Sequence, residues 1–258
     1  MRLPLPQFTA PERSPNYIAE VIETATTEFL AQCLEPDDLT FATMPPFGSW
    51  VKANDEESGN QIFAVIYHVT TSPIDSVHRA RALGLSLSDL REQQPQIFAM
   101  LKTEFRAAIV GYQPPATSRN GTPKNGAKNG KGKPEATVAN ASANASANAN
   151  ANANANSNGG IPSPRYQHLP PRPPQIHQAV YYCDPEEILQ FSEQLDFLRT
   201  LLQVSGAPVD SLTAAVIRNV YQLRQADRAW LVAAGRSLST LLKDDYDRLR
   251  IILGQIHI

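Results

Sequence analysis

The side chains best suited to chemistry are carboxylates, and they cluster in the first part of the chain. Two facing carboxylates can serve as the acid and base of a glycosidase. These acids have no fixed pairwise spacing, and acids on strands and turns are usually solvated. We therefore interpret them as an acidic surface. The members are Glu20, Glu23, Glu28, Glu35, Asp37 and Asp38.

The other reactive side chains form no recognisable motif. The run Asp55-Glu56-Glu57 lacks the alternating ligands of a calcium loop. His68 lies in an apolar segment, which is typical of a packed or half-exposed histidine, and two arginines close to His78 disfavour its protonated form. Cys33 has no basic neighbour to activate its thiol, and Cys183, far along the chain, adds no metal-binding pattern.

A phosphate-binding loop is also missing from the sequence. Such a loop needs G-x-x-x-x-G-K-[ST] between a strand and a helix. The stretch rich in Gly and Lys, residues 121–133, never has these residues in that order. The sequence thus predicts a protein that is not an enzyme and that holds no cofactor or metal.

Composition divides the chain into regions. Residues 114–178 contain a basic Gly-rich stretch, an Ala–Asn repeat and a proline run. They cannot bury enough apolar area to offset roughly 1–2 kcal/mol of backbone entropy per ordered residue. We expect a disordered linker there, after a flexible N-terminus over 1–14 and a globular region over 15–113. A second globular region, expected to be independent of the first, covers 179–258.

The apolar pattern over 179–258 predicts a helical bundle. Asp184-Pro-Glu-Glu187 supplies an N-cap, a proline at the first helical position and a capping box. The helix that follows stops at Gly206-Ala-Pro208, a second begins at about residue 210, and a third pattern runs from Trp230 to Ile252. Three amphipathic helices with apolar stripes make a small bundle.

The region 15–113 reads as strands, although its beginning also fits a helix. Apolar residues recur at helical spacing over 18–33, but the Thr24-Ala-Thr-Thr27 cluster favours the bend of a β-hairpin. The segments "GSWVKA" and "QIFAVIYHVTT" are rich in strand formers, and Gly59 lies in the turn between them. A helix interrupted at Pro95 precedes a last strand, "FRAAIVGYQPP".

These segments together resemble the HAS-barrel. The resemblance rests on "IAEVIETATTEFLAQCL", "PPFGSWVKA", "QIFAVIYHVTTSPID" and "LREQQPQIFAMLKTEFRAAIVGY", and it covers about residues 15–113. HAS-barrels are small β-barrels at the N-terminus of HerA-type DNA-translocating ATPases and of the α and β subunits of rotary ATP synthases. This sequence looks most like the stand-alone versions of cyanobacteria. The resemblance implies an α+β protein: a small N-terminal β-barrel with one inserted helix, a disordered linker and a C-terminal helical bundle.

The resemblance does not extend to ATP hydrolysis. In those ATPases a nucleotide-binding domain follows the barrel, and here a linker and a helical region follow it. What the resemblance implies is contact with neighbours in a ring and docking of partners. We therefore expect a non-enzymatic adaptor in DNA processing that docks on an ATPase or ring assembly, with a HerA-type ATPase or a NurA-type nuclease as partner.

The charge distribution supports an alternative, binding of nucleic acid. Residues 12–113 have a net charge of −7 and residues 114–178 of +6. Basic side chains in the linker are candidates for phosphate contacts, and an enzyme hidden in the barrel ranks last. Because the N-terminus lacks the apolar stretch of a signal peptide and no segment has the length of a membrane span, we expect a cytoplasmic protein with no membrane partner. The candidate nucleic-acid contacts are Lys124, Lys128, Lys131 and Lys133.

Overall fold

A closed barrel forms the first part of the structure. The structure, a computed structural model, describes residues 16–35, 44–74, 82–115 and 163–256. The strands are β1 (Tyr17–Thr24), β2 (Glu28–Cys33), β3 (Trp50–Asp55), β4 (Asn60–Pro73), β5 (Leu101–Gln113) and β6 (Ala179–Tyr182). They close in the order β1-β2-β5-β4-β3-β6, with every neighbouring pair antiparallel.

Helices supply the rest of the described structure. Two lie between β4 and β5, and five follow β6. The predicted α+β class, with an N-terminal barrel and C-terminal helices, is confirmed. Within the described ranges, no helix has the length and apolar character needed to span a membrane. The helices are α1 (Leu87–Gln93), α2 (Gln96–Ala99), α3 (Pro185–Phe191), α4 (Phe197–Leu201), α5 (Val209–Leu223), α6 (Arg228–Leu241) and α7 (Tyr246–Gln255).

The turns predicted from local sequence are found where expected. The Thr24–Thr27 cluster forms the bend between β1 and β2, where the Ala25 amide donates to the Glu28 carbonyl at 2.9 Å. Gly59 ends the turn between β3 and β4 with a φ of +70°, a value that glycine adopts without strain. The helical spacing over 18–33 therefore gives way to a β-hairpin, as predicted.

β4 is buried on both of its faces, which explains its unbroken apolar run. Its residues Ile62, Ala64 and Ile66 point into the barrel. The alternate residues Phe63, Val65 and Tyr67 lie on the outer wall and pack against the C-terminal helices. Strands covered on both faces read as continuous apolar runs rather than alternating ones. All five residues predicted to line the interior or a covered face are buried: Trp50, Val51, Phe63, Val65 and Tyr67.

β6, the strand that closes the barrel, lies beyond residues 15–113, the region that the sequence analysis assigned to the barrel. β6 pairs with β1 and with β3, so that Val180 lies opposite both Ala19 and Ala53. Because it has only four residues, β6 shows no alternation that a sequence pattern can reveal. The barrel thus needs residues 179–182, which we had assigned to the helical bundle.

Part of the predicted linker is also ordered against the barrel. Tyr166 exchanges backbone hydrogen bonds of 2.8 and 2.9 Å with Tyr112, and the Val21 amide donates to the Gln178 carbonyl at 2.9 Å. Proline-rich chain is already extended and loses little entropy on docking. The prediction of disorder is therefore wrong for residues 163–178. Residues 116–162 and the N-terminal 1–15 lie outside the described residues.

The helical region contains more helices than the three predicted. The first predicted helix is divided into α3 and α4, and the third into α6 and α7. The capping box at Asp184 and Glu187 is present, and the Asp184 amide donates to Glu187 at 2.8 Å. Glu187 also accepts a 2.6 Å bond from Lys52 on β3. Burial lowers the pKa of Lys52, but the hydrogen bond and charge of Glu187 outweigh this and raise it overall.

The barrel and the helices share one core and form one compact unit. The ring centre of Trp50, on the barrel, lies 5.5 Å from that of Phe191 and 5.4 Å from that of Phe197, both in edge-on contacts. The ring centres of Phe63 and Phe191 are 4.9 Å apart. Gly111 on β5 permits this approach, because a Cβ there would collide with the Tyr166 carbonyl and the Phe191 ring. The expected independence of the two globular regions is thus replaced by a joint core.

Cleavage between the two halves tests the joint core. We expect that a protease site inserted into the Ala–Asn repeat, once cut, yields fragments that stay together in size-exclusion chromatography, because β6 and the buried outer wall hold them. Mild denaturant should separate the fragments. Fragments that separate in native buffer would show that each half folds on its own.

Substitution of Val65 tests the covered face. Val65 has 0% exposure, so Val65→Asp places a carboxylate between β4 and the helices without a partner. We expect a loss of about 3–5 kcal/mol in the free energy of unfolding, measured with urea. The control is Val232→Asp, because Val232 on α6 is 51% exposed. Equal stability of the two variants would place Val65 on an open surface.

Candidate functional site

Two strands of the barrel continue beyond it as a two-stranded ribbon. β2 pairs with β5 only as far as Glu104, whereas β4 and β5 stay paired to Pro73 and Leu101. The hydroxyls of Thr71 and Thr103 lie 2.9 Å apart across the ribbon. We call residues 70–74 and 82–103 the arm. The arm therefore projects beyond the point where β2 ends, and within the described ranges no further strand pairs with it on either side.

The arm ends in the short helices α1 and α2. Ser86 caps α1 by accepting a 3.1 Å hydrogen bond from the Asp89 amide. α2 begins after Pro95, at the interruption that the sequence predicted. α1 has seven residues and buries none of its side chains. The arm thus presents a helix none of whose side chains is buried.

Exposed apolar side chains are concentrated on the arm. Their exposures run from 39% to 56%. Single exposed apolar residues are ordinary, but a group of them on one projection is typical of an interaction surface. We call this group the tip patch; its members are Ile74, Leu83, Leu85, Leu87 and Met100.

Four of the acids singled out from sequence lie in the described residues, and most of them have partners. Glu20 accepts a 2.7 Å bond from Tyr17, and Glu35 is exposed. Glu28 accepts a 3.0 Å bond from Arg106 and a further one from the Tyr67 hydroxyl. Arg106 also lies 3.7 Å from Glu23. The described acids of this group are therefore exposed or engaged with bases and hydroxyls, and Asp37 and Asp38 lie outside the described residues.

The contact between Glu28, Arg106 and Tyr67 escaped the sequence analysis. Its members lie far apart in the chain and meet only because β2, β5 and β4 are neighbours. Burial first, and then the hydrogen bond and charge of Glu28, raise the pKa of Tyr67 to about 12. The phenol therefore stays protonated and donates to Glu28 throughout the neutral range.

The other reactive residues singled out from the sequence are the two cysteines, Asp55 and His68. Burial raises the pKa of the Cys33 thiol to about 12, and Cys183 is likewise buried with a raised pKa, which disfavours the thiolate form of both at neutral pH. Asp55 is buried and accepts a 2.5 Å bond from Ser58 in the turn before β4. His68 is exposed, beside a bulge in β4. Over the described ranges, no three metal-ligating side chains come together.

Several sequence candidates lie outside the described residues. Besides Asp37 and Asp38, these are His78 and the four candidate nucleic-acid contacts. Binding of nucleic acid through the linker therefore stays a prediction. The four contacts are Lys124, Lys128, Lys131 and Lys133.

Comparison with known families agrees with the barrel geometry. Residues 18–113 match the family described as the HAS barrel domain. The chain contains a HAS-barrel domain. The match includes the first five strands and the arm but stops well before β6, so the HAS-barrel of this chain is completed by a segment outside the matched region. No curated protein matches the chain.

The hydrogen bond from Tyr67 makes a testable contribution to the HAS-barrel. Tyr67→Phe leaves Glu28 without one donor, and we expect a loss of about 1.5–3 kcal/mol in the free energy of unfolding at neutral pH. Because the pKa of Tyr67 is raised in the folded state, its contribution is complete below the ordinary tyrosine pKa and is lost as the pH rises towards about 12.

Urea unfolding of wild type and variant between pH 7 and the alkaline range measures this difference. The matched control is Tyr246→Phe, because Tyr246 is exposed on α7. A difference between wild type and Tyr67→Phe that does not change with pH would argue against the raised pKa.

Proposed function

We propose that the protein is a non-enzymatic adaptor that docks on an ATPase or ring assembly through the tip patch of its arm. The observation that carries the proposal is the exposure of helix α1. Isolated helices of fewer than about 12 residues are marginal in water and usually need tertiary packing. α1 has seven residues and no buried side chain, and its Leu87 is 56% exposed. A partner that covers this helix would supply the missing packing.

Because the C-terminal helices cover the outer wall of the barrel, the arm is also favoured as the docking element. Phe63, Val65 and Tyr67, on the outer wall of β4, are covered by the C-terminal helices of the same chain. A partner cannot reach these side chains while the helices are in place. The arm carries the largest set of exposed apolar residues on the HAS-barrel itself.

The HAS-barrel suggests the class of partner. Barrels of this family occur in HerA-type DNA-translocating ATPases, so a HerA-type ATPase, or the NurA-type nuclease that would work with it, is the partner we propose, in the cytoplasm. Lack of enzymatic activity is supported by the engaged carboxylates and by the raised pKa values of both thiols.

Binding to a purified partner tests the proposal. We expect the chain to bind the HerA-type ATPase or NurA-type nuclease of the same genome in sedimentation velocity. The double variant Leu83→Glu/Leu87→Glu should bind at least about tenfold more weakly, because two charges would be buried against an apolar partner surface.

The matched control is Val232→Glu on α6, where the side chain is exposed to a similar degree, 51% against 56% for Leu87. This variant should bind as the wild type does. Equal binding by the arm variant would remove the tip patch from the interface. Failure of the wild-type chain to bind either partner would contradict the adaptor function with these partners.

A further inference from the structure

A large groove lies between the barrel, the segment around Tyr166 and the helices. Its volume is about 1090 Å³. The end of the β1–β2 hairpin forms one wall, α4 and the loop after it form the second, and α6 forms the third. Most of its lining side chains are neutral hydrogen-bonding groups, among them Thr200, Gln203, Ser205, Ser237 and Thr240. A groove of this size and polarity suits a small polar ligand.

Arg165, which lines this groove, has fewer partners among the described residues than a guanidinium requires. Its Nη2 donates to the neutral amide oxygen of Gln190 at 2.5 Å, and its Nε is buried without an acceptor. A guanidinium carries five N–H donors, and a desolvated cation without an anionic partner is costly. Burial lowers the pKa of Arg165, and the charges of Glu187 and Glu193 offset this only in part.

Arg224, whose Nε is likewise buried without an acceptor, has more contacts through the rest of its guanidinium. Its Nη2 donates to the Leu189 carbonyl at 2.6 Å and to the Ser192 hydroxyl at 3.1 Å. Its guanidinium also lies 5.3 Å from the centre of the Trp230 ring, in a cation–π contact. Arg165 has no comparable set of partners in the described part of the chain, so it is the arginine with spare binding capacity.

Acids as well as arginines surround the groove, and Glu193, which lies outside the lining, acts on Arg165 with its negative charge. Arg199 on α4 is exposed and forms no ion pair within the described ranges. Of the two acids in the lining, Glu28 already accepts from Arg106, and Asp196 is exposed to solvent. Glu187, near Arg165, is held by Lys52 at 2.6 Å. The two arginines are thus opposed by a single unpaired lining acid.

We propose that this groove binds a small organic oxyanion, a phosphate or a carboxylate, held by the guanidinium groups of Arg165 and Arg199. A guanidinium presents paired N–H groups that match two oxygens of such an anion. Tyr166 lines the groove beside Arg165; it is 38% exposed and stacks on Tyr112 with 5.2 Å between ring centres. Its ring offers an apolar surface for the organic part of the ligand. This site is separate from the tip patch and does not depend on the adaptor function.

Calorimetric titration of the full chain tests the site, with inorganic phosphate, AMP and citrate as separate probes, each up to about 10 mM. We expect at least one probe to bind with a Kd of about 1 mM or lower. Preference for phosphate and AMP would identify a phosphate site, and preference for citrate a carboxylate site. Absence of binding by all three probes would overturn the proposal.

Variants locate the binding within the groove. Arg165→Gln should weaken binding by about tenfold or more, because it removes charge-assisted hydrogen bonds, and Arg199→Gln should also weaken it. The control is Arg228→Gln, since Arg228 is exposed at the start of α6 and outside the lining. If Arg165→Gln fails to fold, Arg199→Gln against Arg228→Gln decides. Equal binding by the arginine variants and the control would overturn the proposal.

Discussion

The burial of β4 on both faces is the constraint on which the rest of the structure depends. Inside the barrel, Ile62, Ala64 and Ile66 fill the interior, and outside it Phe63 and Val65 need a cover of their own. Water cannot supply that cover, because exposed aromatic and branched side chains cost free energy in proportion to their area. The C-terminal helices supply it, and this requirement unites two parts of the chain that are distant in sequence.

The union of barrel and helices is secured at the point where the chain passes from one to the other. β6 completes the barrel, and α3 begins three residues later at Pro185. Lys52 on β3 lies 2.6 Å from Glu187 and 3.6 Å from Asp184, so the start of α3 is bound to the strand beside β6. Closure of the barrel therefore sets the position of α3, and α3 then places Phe191 against Trp50.

Covering the outer wall decides which surfaces stay open for partners and ligands. The arm extends beyond the reach of the helices, so its apolar residues remain exposed. The groove has a different character: neutral hydrogen-bonding side chains and two arginines line it beside apolar ones. The proposed protein partner and the proposed small anion therefore involve different surfaces, the arm and the groove.

Features specified by neighbours in the chain could be predicted from sequence. The bend at Thr24–Thr27, the turn ending at Gly59 and the capping box at Asp184 each depend on a few adjacent residues. The break at Pro95 followed in the same way, whereas the barrel was expected from the resemblance to the HAS-barrel. The helical pattern overestimated helix length, because the apolar spacing continues across breaks such as the one before Tyr246, where Asp245 caps a new helix.

The sequence by itself determined these local elements, their order and the burial of the apolar runs. Only the tertiary structure decided that β6 closes the barrel, that Tyr67 and Arg106 meet at Glu28, and that the Nε of Arg165 is buried without an acceptor among the described residues. The physical reason is that the residues which form these contacts are far apart in the sequence. A four-residue strand has no periodicity of its own, and a side-chain contact between distant strands leaves no spacing in the sequence. Such features exist only once the pairing of strands and the cover of the outer wall are fixed.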